Sequence, residues 1–130
     1  MDPKRILIVD DKVGAARLLK SNLEQTHDYL VRVENAAAGA LAAAEQFQPD
    51  LILLDVMMPG QDGGELASCF HTSPQLKDVP IVFFTAAVKK QEVASRGGRI
   101  GGLPFLAKPA DLPEVIACLE QHLGKPDRPR

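Results

Sequence analysis

Ile6-Leu7-Ile8-Val9-Asp10-Asp11 sets four branched apolar residues in a row, without alternation, and then closes on two acids. An unbroken apolar run of this length marks a strand buried on both faces, the situation of a parallel sheet covered by helices. It is too short for a membrane span or a signal-peptide core. The pattern repeats outward from it. Residues 12–25 place Ala16, Leu19 and Leu23 at helical spacing, and residues 29–33 alternate Tyr29, Val31 and Val33 against Leu30 and Arg32 as a second strand. Residues 36–47 are Ala-rich and favour a helix, with Asn35 the expected cap. Leu51-Ile52-Leu53-Leu54 is again a fully buried strand, ended by Asp55. Asp62-Gly63-Gly64-Glu65 has the spacing of a capping box and opens a helix through about Phe70. Ile81-Val82-Phe83-Phe84, ended by Thr85, is a fourth strand. Residues 103–107 form a weaker fifth, placed at a sheet edge because Pro104 cannot donate to a ladder. Asp111-Leu112-Pro113-Glu114 caps a last helix with Val115, Ile116, Leu119 and Leu123 on its apolar face.

Strands alternating with helices predict an α/β fold, a five-stranded parallel sheet with helices on both faces. The weak link is Gly97-Gly98-Arg99-Ile100-Gly101-Gly102, where each interior Gly costs a helix about 1 kcal/mol; a loop is expected there. A chain of 130 residues predicts one domain, taken as 1–124, with 125–130 a flexible polar tail or linker stub. With 5% aromatic residues and no Trp, the composition argues against a stacking platform for single-stranded nucleic acid. A net charge of -2 removes the bulk electrostatic footprint of a nucleic-acid binder, so no direct nucleic-acid or membrane partner is expected. Cys69 and Cys118 lie far apart without a CxxC, which fits a reducing, cytoplasmic setting and small apolar roles on helices. His27, His71 and His122 are scattered and read as structural or solvated.

In an open α/β sheet, ligands bind beyond the carboxyl ends of the strands, where strand order reverses. The residues at those ends are Asp10 and Asp11, Asp55, Thr85 and Lys108. Each alone has an ordinary reading as a helix cap, a strand-end hydroxyl or a solvated charge; their arrival at one edge is harder to dismiss. Three clustered carboxylates need a cation, and hard oxygen ligands with room for water suit Mg²⁺. A carboxylate beside such a metal, with a Lys and a Thr nearby, is equipped to accept a phosphoryl group.

With these residues in place the chain resembles the CheY-like receiver domain of bacterial two-component response regulators. The matching pieces are Ile6 to Asp11, Asp55-Val56-Met57-Met58-Pro59-Gly60 with Asp62-Gly63, Phe83-Phe84-Thr85-Ala86, and Phe105-Leu106-Ala107-Lys108-Pro109. The resemblance implies the flavodoxin-like strand order 2-1-3-4-5, with Asp55 as phosphoacceptor. It implies Mg²⁺ held by Asp10, Asp11, Asp55 and the Met57 backbone carbonyl. Thr85 and Lys108 would bind the phosphoryl group, and Phe105 would move inward with Thr85; read from the residues alone, Phe105 is a core aromatic. The Lys108-Pro109 bond is expected to be cis. Met57 and Ala87 occupy the positions that tune dephosphorylation in receivers, and neither hydrogen-bonds a water well. The implied partners are a sensor histidine kinase or phosphotransfer protein and a downstream protein target, and the domain itself is a switch rather than an enzyme.

Two other functional classes fit parts of the pattern. An aspartyl-nucleophile hydrolase or mutase would carry a second acid two residues after Asp55, where Met57 stands. A phosphorylation-independent, receiver-like interaction module would have lost one of the five strand-end residues, and all five are present. A flavin module would need a hydroxyl- and Gly-rich loop after the first strand, in place of Asp10-Asp11-Lys12-Val13-Gly14.

Overall fold

The apolar run at the start of the chain is β1 (Lys4–Val9), and its side chains divide between two cores. A computed structural model describes residues 2–58, 61–100 and 103–125. In it, Leu7 and Val9 point to one face of the sheet and Ile6 and Ile8 to the other, all of them buried. The strands β3 (Leu51–Leu54) and β6 (Ile81–Thr85) divide in the same way, because side chains alternate along a strand. Helices α1 (Val13–Gln25) and α5 (Leu112–Leu123) cover the Ile6 face through Ala16, Leu23, Val115 and Leu119. Helices α2 (Ala37–Phe47) and α3 (Gly63–Thr72) cover the Leu7 face through Ala40, Ala44, Leu66 and Phe70. Burial on both faces is why these strands read as continuous apolar runs.

With β2 (Tyr29–Glu34) and β8 (Leu103–Ala107), the five parallel strands run in the order β2-β1-β3-β6-β8, the expected 2-1-3-4-5. The chain leaves β1 toward β2 and returns on the other side to β3. That reversal opens the crevice at the carboxyl ends of β1 and β3.

Several local expectations change. Asn35 is not the cap of α2: Ala36 takes that place without a side-chain bond, while Asn35 Nδ2 donates to the Asp10 carbonyl at 2.8 Å. Ahead of α3 lies an antiparallel pair of short strands, β4 (Met57–Met58) and β5 (Gln61–Asp62), absent from the sequence reading. Pro59 and Gly60 lie outside the described residues, and α3 runs on to Thr72. The Asp111 capping box is present in full: its carboxylate accepts the Glu114 N–H at 2.9 Å, and the Glu114 carboxylate accepts the Asp111 N–H at 3.1 Å.

The glycine-rich segment departs furthest from expectation. After the short α4 (Lys90–Ser95), Gly97 and Gly98 take positive φ angles of 66° and 84°, which L-residues with a Cβ rarely adopt. They turn the chain into β7 (Arg99–Ile100), which pairs antiparallel with β8. The Gly98 N–H donates to the Val93 carbonyl at 2.8 Å, and the Phe105 N–H donates to the Gly98 carbonyl at 2.9 Å. A paired turn therefore stands at 97–100 where a loop was expected, and Gly101 and Gly102 lie outside the described residues. Nor is Pro104 on an edge strand: β8 has β6 on one side and β7 on the other, and Pro104 sits opposite Arg99. The missing Pro104 N–H is tolerated because Phe105 supplies the bond to the glycine turn. Of the tail, 126–130 lie outside the described residues. No described helix is long and apolar enough to cross a membrane.

Candidate functional site

The parallel ladder brings the strand-end residues to one level by extending one residue past each strand. The Asp10 N–H donates to the Glu34 carbonyl, the Asp55 N–H to the Val9 carbonyl and the Lys108 N–H to the Thr85 carbonyl, at 3.1, 3.0 and 2.9 Å. Each residue is thus fixed to the neighbouring strand by its own backbone. Asp10, Asp55 and Thr85 are buried, at 4%, 2% and 0% exposure. One carboxylate oxygen each from Asp10, Asp11 and Asp55 lie within 4.8 Å of one another. At an effective dielectric near 20, two charges at that separation repel by about 3–4 kcal/mol.

Lys108 offsets part of this. Its Nζ donates to Asp10 Oδ2 and, at 3.3 Å, to Asp55 Oδ2, while lying 5.1 Å from the centre of the Phe84 ring. The remaining oxygens draw on backbone. Asp55 Oδ1 accepts the Met57 N–H and Asp10 Oδ1 accepts the Lys12 N–H, both at 2.9 Å. Burial pushes the Asp55 carboxyl up, but the Met57 N–H, the Lys108 ammonium and the Thr85 hydroxyl together outweigh it, and the group sits below its ordinary value of 3.8. Asp55 is therefore an anion at neutral pH. Asp11 is the exception in this network: its Oδ1 is buried and has no hydrogen-bond partner.

The five strand-end residues thus meet where the sequence reading placed them. Thr85 Oγ1 accepts the Ala87 N–H at 3.1 Å, which ties the hydroxyl to the loop after β6. Met57 is 54% exposed, and Ala87 is exposed on that loop. Phe105 is half-buried and stacks on Phe83 with ring centres 5.0 Å apart, so it packs against the Leu7 face of the core. The Lys108-Pro109 bond is cis. Of the histidines, His122 Nδ1 lies 2.9 Å from the Cys118 carbonyl, a contact within α5. Cys118 is a half-buried thiol pushed up to about 11 by desolvation, and Cys69 is exposed on α3.

Four residues support the site in ways the sequence reading did not give them. Lys12 Nζ lies 3.7 Å from Asp55 Oδ2 and 3.7 Å from Asp11 Oδ1. Asn35 braces the Asp10 backbone, and Phe84 forms a floor under Lys108. The position of Lys12 directly after the acidic pair was the available signal. Gly63 is a fourth site support: a Cβ built there would lie 2.8 Å from the Val56 Cα, so the start of α3 packs directly on the backbone beside Asp55.

Comparison with known proteins bears on the family and the fold. Residues 6–120 match the response regulator receiver domain family. The chain is 30% identical over 123 residues to the polar-differentiation response regulator DivK of Brucella anthropi, covering 94% of this chain and 98% of DivK. It is 34% identical over 125 residues to the DNA-binding dual master transcriptional regulator RpaA of Synechocystis, of which it spans only 51%. It is 40% identical over 112 residues to the response regulator PleD of Caulobacter vibrioides, of which it spans 23%. Among solved structures, the chemotaxis protein CheY4 of Vibrio cholerae superposes with a TM-score of 0.77 at 26% identity, covering 93% of this chain and 99% of that one. A response regulator from Chloroflexus aurantiacus also gives 0.77, at 30% identity and with 95% and 99% coverage. The chain belongs to the response regulator receiver domain family, the phosphorylation-dependent switches of two-component signalling.

Proposed function

We propose that this receiver takes a phosphoryl group on Asp55 and that Asp10, Asp11, Asp55 and the Met57 carbonyl hold Mg²⁺. The observation that carries the reading is a buried, ionised Asp55 with Lys108 Nζ 3.3 Å from one of its oxygens and two further carboxylates beside it. The donor set suits the ion: all-oxygen, multiply anionic, and including the orphaned Asp11 Oδ1. Mg²⁺, when bound, offsets charge on the transferring phosphoryl oxygens. An Asp55 oxygen attacks phosphorus as the bond to the donor's imidazole nitrogen breaks, and the imidazole leaves with that electron pair and takes a proton. Lys108 turns from carboxylate to phosphoryl oxygen. The Thr85 hydroxyl turns its proton from Asp55 to a phosphoryl oxygen, which pulls on the loop after β6 through the Ala87 N–H that Oγ1 accepts and lets Phe105 shift. The partners are a phosphohistidine donor and a protein target, and the setting is cytoplasmic. An apolar cleft of about 460 Å³ beside the site, lined by Leu18, Leu19, Pro109 and Ala110 among others, offers the donor a surface. The direct test is incubation with Mg²⁺ and acetyl phosphate followed by intact mass, with one added phosphoryl group expected and none overturning the reading.

The acidic pair yields a further expected result. In Asp11→Asn, Mg²⁺ affinity falls at least tenfold, while the metal-free protein unfolds at higher denaturant because one of three clustered like charges is gone. Calorimetric titration and denaturant midpoints measured with a chelator check both; a clearly less stable metal-free variant contradicts the repulsion argument.

Dephosphorylation needs a water in line with phosphorus. Met57 and Ala87 flank that approach and neither holds water well, so the phosphorylated state decays slowly. Met57→Asn and Ala87→Glu are expected to speed acyl-phosphate loss by roughly tenfold, since positioning a reactant acts directly on rate. Decay followed after removal of the donor checks this, and unchanged or slower loss in both variants rejects it.

A further inference from the structure

Lys12 has no part in the scheme above, yet it is the second cation of the acidic cluster. Its backbone is fastened, because its N–H donates to Asp10 Oδ1 at 2.9 Å just before α1 begins. Its side chain is not: it is 56% exposed, against 15% for Lys108. From that fixed pivot Nζ reaches 3.7 Å from both Asp55 Oδ2 and Asp11 Oδ1. These distances exceed a hydrogen bond, so the ammonium is drawn by charge and not locked by geometry. Among the described residues it is the only cation within 4 Å of Asp11, and the oxygen it approaches is the one that lacks a hydrogen-bond partner. Lys108, by contrast, is engaged with Asp10 and Asp55 and does not reach Asp11.

We propose that Lys12 is a built-in competitor for the divalent cation: its ammonium neutralises the Asp11–Asp55 side of the cluster in the metal-free state and swings to solvent when Mg²⁺ enters. Three carboxylates with Lys108 alone carry a charge of about −2, and Lys12 brings this to about −1, which weakens the attraction for a doubly charged ion. The long flexible stem allows the exchange without moving the backbone. Lys12 thereby sets the Mg²⁺ concentration at which the site becomes competent, a property distinct from phosphoryl binding itself. The inference rests on Mg²⁺ binding at this cluster.

The experiment titrates Mg²⁺ alone into the full chain by calorimetry, in wild type, Lys12→Gln, Lys12→Arg and Asp11→Asn. Lys12→Gln is expected to bind Mg²⁺ roughly three- to tenfold more tightly, the scale of one half-exposed charge acting on a divalent ion. Lys12→Arg is expected to stay near wild type, and the gain in Lys12→Gln to grow at low ionic strength. Thermal unfolding supplies a second readout: Lys12→Gln should unfold earlier than wild type with a chelator present and gain more from saturating Mg²⁺. Equal or weaker Mg²⁺ binding by Lys12→Gln, with wild type binding normally, overturns the role of Lys12 and leaves the metal site standing. Failure of both wild type and Lys12→Gln to bind removes the metal site, and this inference with it.

Discussion

Asp55→Asn is expected to incorporate no phosphoryl group from acetyl phosphate and Mg²⁺, while wild type incorporates one. The substitution keeps the shape and removes the nucleophile, since an amide oxygen does not attack phosphorus as a carboxylate does. It also has a structural cost that sets it apart from Asp11→Asn. Asp55 has a donor at each oxygen, the Met57 N–H at 2.9 Å on Oδ1 and Lys108 Nζ at 3.3 Å on Oδ2. An Asn side chain offers one acceptor and one NH₂ group, so one of those donors must face another donor. The metal-free variant should lose about 1–3 kcal/mol, the usual cost of an unsatisfied buried polar group. Because the folded-state pKa of Asp55 lies below its ordinary 3.8, its carboxylate stabilises the fold above that value, and the contribution is lost as pH falls through the folded-state pKa. The stability gap between wild type and Asp55→Asn should therefore close below about pH 4. Intact mass and denaturant midpoints across acid pH measure the two effects. A phosphoryl group retained by the variant would falsify the assignment of Asp55.

Gly63→Ala should cut the rate of phosphoryl incorporation by about a hundredfold, although residue 63 touches neither metal nor phosphoryl group in the proposed scheme. An added Cβ would sit 2.8 Å from the Val56 Cα and 2.9 Å from its Cγ1. The first of these is backbone, one residue from Asp55, and cannot swing aside as a flexible side chain would. The strand-to-helix connection must shift, and a displacement near 1 Å at a reacting group costs rate on this scale. Overpacking of this kind also costs about 1–3 kcal/mol of stability, and because residue 63 opens α3 it regains less than the roughly 1 kcal/mol that Ala gains over Gly inside a helix. Gly14→Ala in the first turn of α1 is the matched control, because nothing lies within 4 Å of its added Cβ. That variant should gain stability and phosphorylate normally. Stopped-flow or timed-quench phosphorylation with both variants decides the matter; equal rates for wild type and Gly63→Ala would show that the connection yields without moving Asp55.

The residue string alone determined the parallel sheet and the edge at which the chemistry gathers. Ile6 to Val9 and Leu51 to Leu54 are apolar without alternation because both faces of each strand are buried, and that periodicity is local information. Once those strands are parallel and in register, Asp10, Asp55, Thr85 and Lys108 must emerge at the same end, so the core of the site was legible with the fold. The capping box at Asp111 was legible for the same reason, being a contact over three residues. Tertiary structure decided what depends on partners distant in sequence or on free space. Asn35 looks like a helix cap until the Asp10 carbonyl is placed beside it. The glycines at 97 and 98 look like a loop until Gly98 finds the Val93 and Phe105 backbones and closes a turn onto β8. Lys12 looks like one more solvated charge until the fold sets Asp55, far along the chain, within 3.7 Å of its ammonium. Periodicity and capping are written in neighbours, whereas a long side chain's electrostatic partner and the room around a glycine exist only after the chain has folded back on itself.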